Sequence, residues 1–156
     1  GEVKAITISA VNLVSVISDV ILQQAGQLPK VTINCVLNEC LVYADKGRLI
    51  AILGHLVQNA QDATQDDGNI TISLICLDGF ALIEISDTGC GMEHAFISER
   101  LFKPFDTTKG NAGMGIGVYE AREYIVSQGG KISVTSELDV GTIFSIRYPL
   151  VKGLSR

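Results

Sequence analysis

The chain has 156 residues, of which 47% are hydrophobic, and a formal net charge of −5. This length predicts one domain over 1–156 that buries roughly 70% of its unfolded surface, and the hydrophobic content excludes a disordered chain. The acidic balance argues against a general nucleic-acid binder, and no apolar run reaches the length of a membrane span, so we expect a cytoplasmic domain that contacts neither nucleic acid nor a membrane.

The first third of the chain is predicted to contain three strands and one helix. KAITIS (4–9) has the pattern of a short strand, and Ser9 is expected to cap a helix over 10–25. KVTINCVLN (30–38) alternates apolar and polar residues as a half-buried strand does, and LVYAD (41–45) is predicted to be its partner.

The middle of the chain predicts a second helix and a β-hairpin. Asp45 is expected to cap the helix. The apolar face of this helix is expected to consist of Leu49, Ile52, Leu53, Leu56, Val57 and Ala60. ITISLICL (70–77) and FALIEISD (80–87) are joined by Asp-Gly and therefore predict a hairpin.

The last third predicts one more helix and one more hairpin. A glycine-rich stretch (88–112) without periodicity precedes a helix over 114–128, and the hairpin follows from KISVTSEL (131–138) and TIFSIRYPL (142–150). Strands therefore come in runs with helices between them. This order predicts an α+β fold, a two-layer sandwich in which about three helices pack on one face of a mixed β-sheet.

The four cysteines, Cys35, Cys40, Cys76 and Cys90, are scattered along the chain without a CxxC pair. This spacing argues against a structural zinc site. Scattered cysteines in apolar surroundings suit a reducing cytoplasm, so we expect them to be small core residues.

The second helix carries the first candidate site motif, HLVQNAQDAT (55–64). Its spacing places His55, Asn59 and Asp62 on one stripe, opposite the apolar face. The amide oxygen of Asn59 is a hard ligand that suits Mg²⁺ among phosphate oxygens, and His55 could position a water. The alternative is a polar helix face in solvent.

A second motif, DTGCGM (87–92), directly follows a predicted strand. Asp87 at the strand end can accept a hydrogen bond from an exocyclic amine, which distinguishes adenine from guanine. Gly89 and Gly91 let the backbone approach a flat ring, and Met92 is a soft wall for it. The alternative is an ordinary Asp-Thr-Gly turn.

The third motif, LFKPFDTTKG (101–110), contains two phenylalanines and a lysine. Phe102 and Phe105 could anchor one end of a lid, and Lys109 could reach a terminal phosphate as a point charge. The alternative is a surface turn with a buried phenylalanine pair.

The fourth motif, GMGIG (113–117), precedes a helix, where free N–H groups and the helix dipole favour phosphate. It is not a Walker A loop, because no GK[ST] follows. Alone it would fit a flexible loop before a helix. The four motifs together, in this order, favour a site for a nucleotide and a divalent metal.

These four motifs resemble the boxes of the ATP-binding catalytic domain of sensor histidine kinases, within the wider family of gyrase, Hsp90, the MutL repair proteins and histidine kinases. The resemblance covers about 10–150 and implies the Bergerat ATP-binding fold. The ending GGKISVTSELDVGTIFSIRYPL (129–150) is similar to the closing hairpin of histidine kinases. FDTTK and GMGIGVYEARE resemble kinases of exosortase-linked polysaccharide systems most closely.

By position, the resemblance implies ATP and Mg²⁺ as cofactors. The implied nucleotide-binding residues are Asn59, Asp62, Ala63, Asp87, Gly89, Gly91, Met92, Phe102, Phe105, Thr107, Thr108, Lys109, Gly113, Met114, Gly115, Ile116, Gly117 and Thr142. Asn59 would bind the metal, Asp87 the adenine amine with Thr142 assisting through water, and Lys109 the phosphates together with the amides of 113–117.

The resemblance also implies catalytic roles for His55, Asn59 and Lys109. His55 stands where related ATPases carry a glutamate that activates water, and its replacement fits phosphoryl transfer better than hydrolysis. Asp62 departs from the pattern, because many kinases have a basic residue at this position that helps to bind phosphate. The departure places more of that role on Lys109.

The only histidines are His55 and His94, and neither has the context of a phosphoacceptor. We therefore expect the chain to be the catalytic domain of a kinase that donates the γ-phosphoryl of ATP to a histidine on a separate dimerisation domain, which 1–156 lacks. The resemblance implies a response regulator as an indirect partner and a full-length protein anchored in the bacterial inner membrane. The alternatives are an ATP-gated dimerisation module and a serine kinase of the anti-sigma type.

Overall fold

The computed structural model describes residues 5–36, 38–103 and 115–151. Its strands are β1 (Ser9–Asn12), β2 (Val31–Asn34), β3 (Leu41–Ala44), β4 (Ile70–Leu77), β5 (Phe80–Asp87), β6 (Lys131–Glu137) and β7 (Gly141–Pro149). Its helices are α1 (Leu13–Gln23), α2 (Lys46–Ala63), α3 (His94–Phe96), which continues as a π-helical turn over Ile97–Leu101, and α4 (Gly115–Ser127).

The strands form one large mixed sheet and one small sheet. The large sheet has the order β2-β4-β5-β7-β6, in which β2 runs parallel to β4 and the other neighbours are antiparallel. The small sheet consists of β1 and β3, paired antiparallel. Both predicted hairpins are present as β4–β5 and β6–β7, and the predicted α+β fold is confirmed.

The predicted pairing of residues 30–38 with residues 41–45 is wrong. β2 pairs in parallel with β4, from Val31 opposite Ile70, whereas β3 pairs with β1. β2 is also less buried than a half-buried strand, because it lies at the sheet edge and Thr32, Ile33 and Asn34 are exposed. Alternation identifies a strand, but the partner is decided by contacts between residues distant in sequence.

The first helix begins later than predicted because Asn12, not Ser9, is its N-cap. The side chain of Asn12 accepts hydrogen bonds from the N–H groups of Val14 and Cys40, both at 3.0 Å. Ser9 instead lies in β1. The strand therefore passes directly into the helix, and one side chain ties the helix start to the segment before β3.

The cap predicted for the second helix is confirmed. Asp45 accepts hydrogen bonds from the N–H groups of Thr7, at 2.9 Å, and Arg48, at 3.0 Å. These two bonds, that from Thr7 first, lower the pKa of the Asp45 carboxyl. The cap thereby fixes both the helix start and the segment that leads into β1.

The core lies between the sheet and the helices. α2 packs between α1 and α4 and against β5, while α4 packs on β6. The predicted apolar face of α2 is confirmed, since all six of its residues are buried. In the described residues, no helix combines the length and apolar character that crossing a membrane requires.

Candidate functional site

A cleft opens between α2, the segment that follows β5, and the β6–β7 hairpin. Six residues predicted for the site line it, namely Asn59, Ala63, Asp87, Gly91, Met92 and Thr142. Apolar side chains of α2, α3, α4 and β7 complete the lining, which suits a flat heterocycle with a few polar anchors.

Asp87 is the buried charged group of the cleft wall. It ends β5, is 8% exposed, and accepts a hydrogen bond from the N–H of Gly89 at 2.8 Å. Burial raises the pKa of the Asp87 carboxyl, and hydrogen bonds from the backbone of Gly89 and Thr142 oppose that rise. The backbone therefore orients a desolvated acceptor at the edge of the cleft.

The glycines of DTGCGM allow close approach of protein backbone. A Cβ on Gly89 would collide with the carbonyl oxygen of Ala63, and one on Gly91 with that of Glu137. Gly91 also has a φ of 72°, a conformation that favours glycine. From the sequence, these glycines were expected to let the backbone approach a ligand ring. In the structure, both are also required by close contacts with other backbone segments of the protein.

Cys90, between these two glycines, joins both walls of the cleft through its backbone. Its N–H donates to the carbonyl of Ala63 at 3.0 Å, and its carbonyl accepts from the N–H of Asp139 at 2.8 Å. The first contact ties the motif to the end of α2, and the second ties it to the β6–β7 turn.

The three residues of the stripe predicted on α2 lie in different surroundings. Asn59 lines the cleft, but Asp62 is exposed and accepts a hydrogen bond from Gln58 at 2.9 Å. His55 is half-buried against α4, where a Cβ on Gly117 would collide with its ring. Its Nε2 is buried and has no hydrogen-bond partner among the described residues.

Phe102 lies beside the cleft, at the end of the helical segment that contributes Phe96 and Leu101 to its lining. Phe102 is half-buried against the core, and the guanidinium of Arg122 lies 5.3 Å from its ring centroid. This contact attaches the end of that segment to α4.

Several predicted residues lie outside the described residues, namely Phe105, Thr107, Thr108, Lys109, Gly113 and Met114. Gly115, Ile116 and Gly117 form the first turn of α4. The first N–H groups of a helix lack partners within it, so the start of α4 is suited to an anion.

Ser136 is a buried polar residue of the site that the sequence did not indicate. Its hydroxyl accepts from the N–H of Met92 at 2.8 Å and donates to the carbonyl of Gly141 at 3.1 Å. It also lies 2.8 Å from the hydroxyl of Thr142, its register partner across the hairpin. The observed turn at 138–140 sets this register, whereas the predicted strands 131–138 and 142–150 would have placed 138 opposite 142, so they carried no signal for this contact.

The described side chains do not form a dedicated metal cage. Within the described ranges, no group of three histidine, cysteine, aspartate or glutamate residues could hold a metal ion. The amide of Asn59, in the cleft lining, is a hard oxygen donor. This donor set fits Mg²⁺, which usually keeps waters and shares phosphate oxygens rather than entering an all-protein cage.

Comparisons with known proteins agree with this geometry. The family described as "Histidine kinase-, DNA gyrase B-, and HSP90-like ATPase" matches residues 44–152. The chain is 37% identical over 107 residues to sensor histidine kinase CitA of Klebsiella pneumoniae, covering 66% of this chain and 19% of CitA. It is 29% identical over 150 residues to sporulation kinase D of Bacillus subtilis strain 168, covering 96% of this chain and 27% of that kinase.

A solved structure shows the same architecture. The nucleotide-free catalytic domain of histidine kinase ThkA superposes with a TM-score of 0.80 and 27% identity, over 92% of this chain and 95% of that one. The chain therefore belongs to the family of histidine kinase-, DNA gyrase B- and HSP90-like ATPases. Its fold is that of a histidine kinase catalytic domain, and it spans a part of the longer curated kinases that it matches.

Proposed function

We propose that this domain binds ATP in the cleft and donates its γ-phosphoryl to a histidine on a separate dimerisation domain of the same kinase. The buried Asp87 carboxylate carries the proposal, because backbone amides hold this acceptor where an adenine amine would be recognised. Thr142, adjacent to Asp87 in the sheet, would assist through a water. The family and the ThkA catalytic domain support this assignment.

At the other end of the nucleotide, Asn59 would hold Mg²⁺ together with phosphate oxygens. When bound, the ion would neutralise the negative charge on the γ-phosphoryl group during its transfer. Lys109 and the amides of 113–117 would hold the phosphates, which the position of the α4 start supports. Since Asp62 faces solvent, we leave it out of this proposed phosphate site.

His55 would act as a positioning residue rather than as a base that activates water. Its contact with Gly117 links α2 to the first turn of α4, so the ring would set the distance between the metal side and the phosphate side. Catalysis would then consist mainly of positioning and charge neutralisation.

The same reasoning leads us to propose partners for the full-length kinase. ThkA in complex with its response regulator TrrA has a TM-score of 0.78 and 24% identity, over 94% of this chain and 42% of that one. We propose a response regulator as the receiver of the phosphoryl group from the acceptor histidine. Anchoring of the full-length kinase in the inner membrane, with this domain in the cytoplasm, belongs to the same proposal.

The decisive experiment mixes this domain, radiolabelled ATP and Mg²⁺ with the dimerisation domain of its own kinase. We expect acid-labile, base-stable label on the acceptor. The Asn59→Ala variant should transfer at least about 100-fold more slowly, because the metal loses its protein ligand. Asn34→Ala, at an exposed position on the edge strand β2, is the matched control and should transfer normally.

Other outcomes would identify the alternatives. Acid-stable label would indicate a serine kinase of the anti-sigma type. ATP-dependent dimers without any transfer would indicate an ATP-gated module. Normal transfer by Asn59→Ala would contradict the metal assignment.

Ser136 is expected to tune nucleotide affinity. Ser136→Ala leaves the N–H of Met92 without its hydrogen-bond acceptor and removes the partner of the Thr142 hydroxyl. We expect ATP to lose roughly 1–2 kcal/mol of binding free energy, which corresponds to a five- to thirtyfold rise in its Kd. Calorimetry measures this Kd. Ser136→Thr should retain most of the affinity, and Ser133→Ala, at an exposed position of the same strand, should retain all of it. A Kd within twofold of wild type for Ser136→Ala would refute this role.

A further inference from the structure

Three of the four cysteines meet in the folded chain, although they are scattered in the sequence. The Sγ atoms of Cys40 and Cys76 lie 2.8 Å apart. Cys35 follows β2, the parallel neighbour of the strand that carries Cys76. The pKa of the Cys40 thiol is raised, first by burial, then by its hydrogen bond and charge interaction with Cys76, and least by Cys35.

Their burial differs from the expectation that all four are core residues. Cys40 is buried and 3% exposed, Cys35 is half-buried, and Cys76 and Cys90 are exposed. The pair therefore combines one thiol that dissolved reagents can reach with one that they cannot. In the described part of the chain the thiols do not form a metal-binding group.

Both members of the pair are held on fixed backbone. Cys40 donates its N–H to the side chain of Asn12 at 3.0 Å and accepts from the N–H of Leu13 at 2.8 Å. Cys76 lies in β4, opposite Ala81 of β5. Because a disulfide has an S–S distance of about 2.05 Å, the sulfurs need to approach by only about 0.8 Å.

We propose that Cys40 and Cys76 form a redox-active pair, which hydroperoxides oxidise to an intramolecular disulfide linking the segment before β3 to the end of β4. This site is separate from the nucleotide cleft. Cys76 lies near the end of the β4–β5 hairpin that is opposite to Asp87. Asp87 lies six positions after Ala81 in β5, a distance of roughly 20 Å along the strand.

The chemistry assigns a different role to each thiol. The thiolate of the exposed Cys76 attacks one peroxide oxygen, and the O–O bond breaks to give a sulfenic acid and hydroxide. The Cys40 sulfur then attacks the Cys76 sulfur, the S–O bond breaks, and the departing hydroxide takes the Cys40 proton as water. The hydroxide released in the first step takes up the proton that Cys76 lost on forming its thiolate. Hydrogen peroxide therefore becomes two molecules of water, and the two thiols lose two electrons in total.

The disulfide would close a loop between residues 36 positions apart, which contains β3, α2 and most of β4. Closing such a loop restricts the unfolded chain, so the oxidised domain should be more stable. We expect peroxide to raise the unfolding midpoint by roughly 5–10 °C, and dithiothreitol to reverse the rise.

The test treats the domain with hydrogen peroxide, blocks remaining thiols, and measures intact mass, peptide links and the unfolding midpoint. The expected product is a monomer that has lost two hydrogen atoms, with Cys40 linked to Cys76. Cys76→Ser should abolish both the link and the shift. Cys35→Ser and Cys90→Ser should retain both.

Three outcomes would overturn the proposal. They are the absence of an intramolecular link, a link formed by Cys35 or Cys90 instead, and an unfolding midpoint that does not rise when the Cys40–Cys76 link has formed. Because Cys76 is exposed, its serine variant should fold and provide a clean reference.

Discussion

Replacing Asp87 with asparagine is expected to weaken ATP binding by about 100-fold while the domain stays folded. A hydrogen bond to a charged acceptor contributes roughly 1.5–3 kcal/mol, and every 1.4 kcal/mol changes Kd tenfold. The amide can still accept the N–H of Gly89 through its oxygen, so the loop geometry should persist. Calorimetric titration with ATP measures the effect.

The same substitution should not lower the stability of the free domain at neutral pH. Burial raises the pKa of Asp87, which means that the folded state prefers the neutral acid. The stabilisation tied to the neutral acid is therefore complete below the ordinary carboxyl pKa, of about 3.9, and is lost as pH rises through the folded pKa. Asparagine resembles the neutral form, so the unfolding midpoint at pH 7 should equal or exceed that of wild type.

A matched control and a second nucleotide make the Asp87 test specific. Glu84→Gln is the same chemical change on the same strand, at a half-buried position where Glu84 accepts a hydrogen bond from Ser145. It should leave ATP affinity unchanged. The Asp87→Asn variant should lose the preference for ATP over inosine triphosphate, because an amide can donate to the 6-keto oxygen. Unchanged ATP affinity and preference would refute the adenine contact.

Gly91→Ala should lower the free energy of unfolding by about 2–5 kcal/mol and abolish measurable ATP binding. Alanine at this position would have to keep a left-handed backbone conformation, with φ of 72°. Its Cβ would also collide with the carbonyl oxygen of Glu137. The conformation costs roughly 1–2 kcal/mol and overpacking adds about 1–3 kcal/mol. Urea unfolding measures the loss, and nucleotide titration measures the damage to the cleft.

Gly79→Ala separates the two causes of this loss. Gly79 has a φ of 78°, but nothing lies within 4 Å of an added Cβ. Its substitution should therefore cost only the conformational part, roughly 1–2 kcal/mol, and leave ATP binding intact. Equal losses for Gly79→Ala and Gly91→Ala would show that contact with the β6–β7 turn is unimportant.

Features set by local chemistry were predictable from the sequence. The Asp45 cap, the Asp-Gly hairpin at 78–79 and the apolar face of α2 each depend on residues a few positions apart, and all three are confirmed. The family resemblance followed from motifs of the same local kind. These features were sufficient to indicate the layers of the fold.

Features set by contacts between distant residues were not predictable in the same way. β2 selects β4 rather than the nearer β3, and the Ser136 hydroxyl reaches the N–H of Met92. Asp62 was grouped with Asn59 because the two share a helix stripe, yet only Asn59 faces the cleft. Helical spacing defines a broad polar face, and the neighbouring elements decide which part of it lines a site.

The backbone bridge at Cys90 has a consequence for how this cleft can change over evolutionary time. Its two hydrogen bonds, to Ala63 and from Asp139, use only main-chain atoms, and the Cys90 side chain is exposed. Any residue type except proline, which has no N–H to donate, can therefore occupy position 90 without loosening the cleft wall, whereas the glycines on either side cannot be replaced. The chemistry displayed at this rim can thus change while the geometry of the cleft wall stays the same.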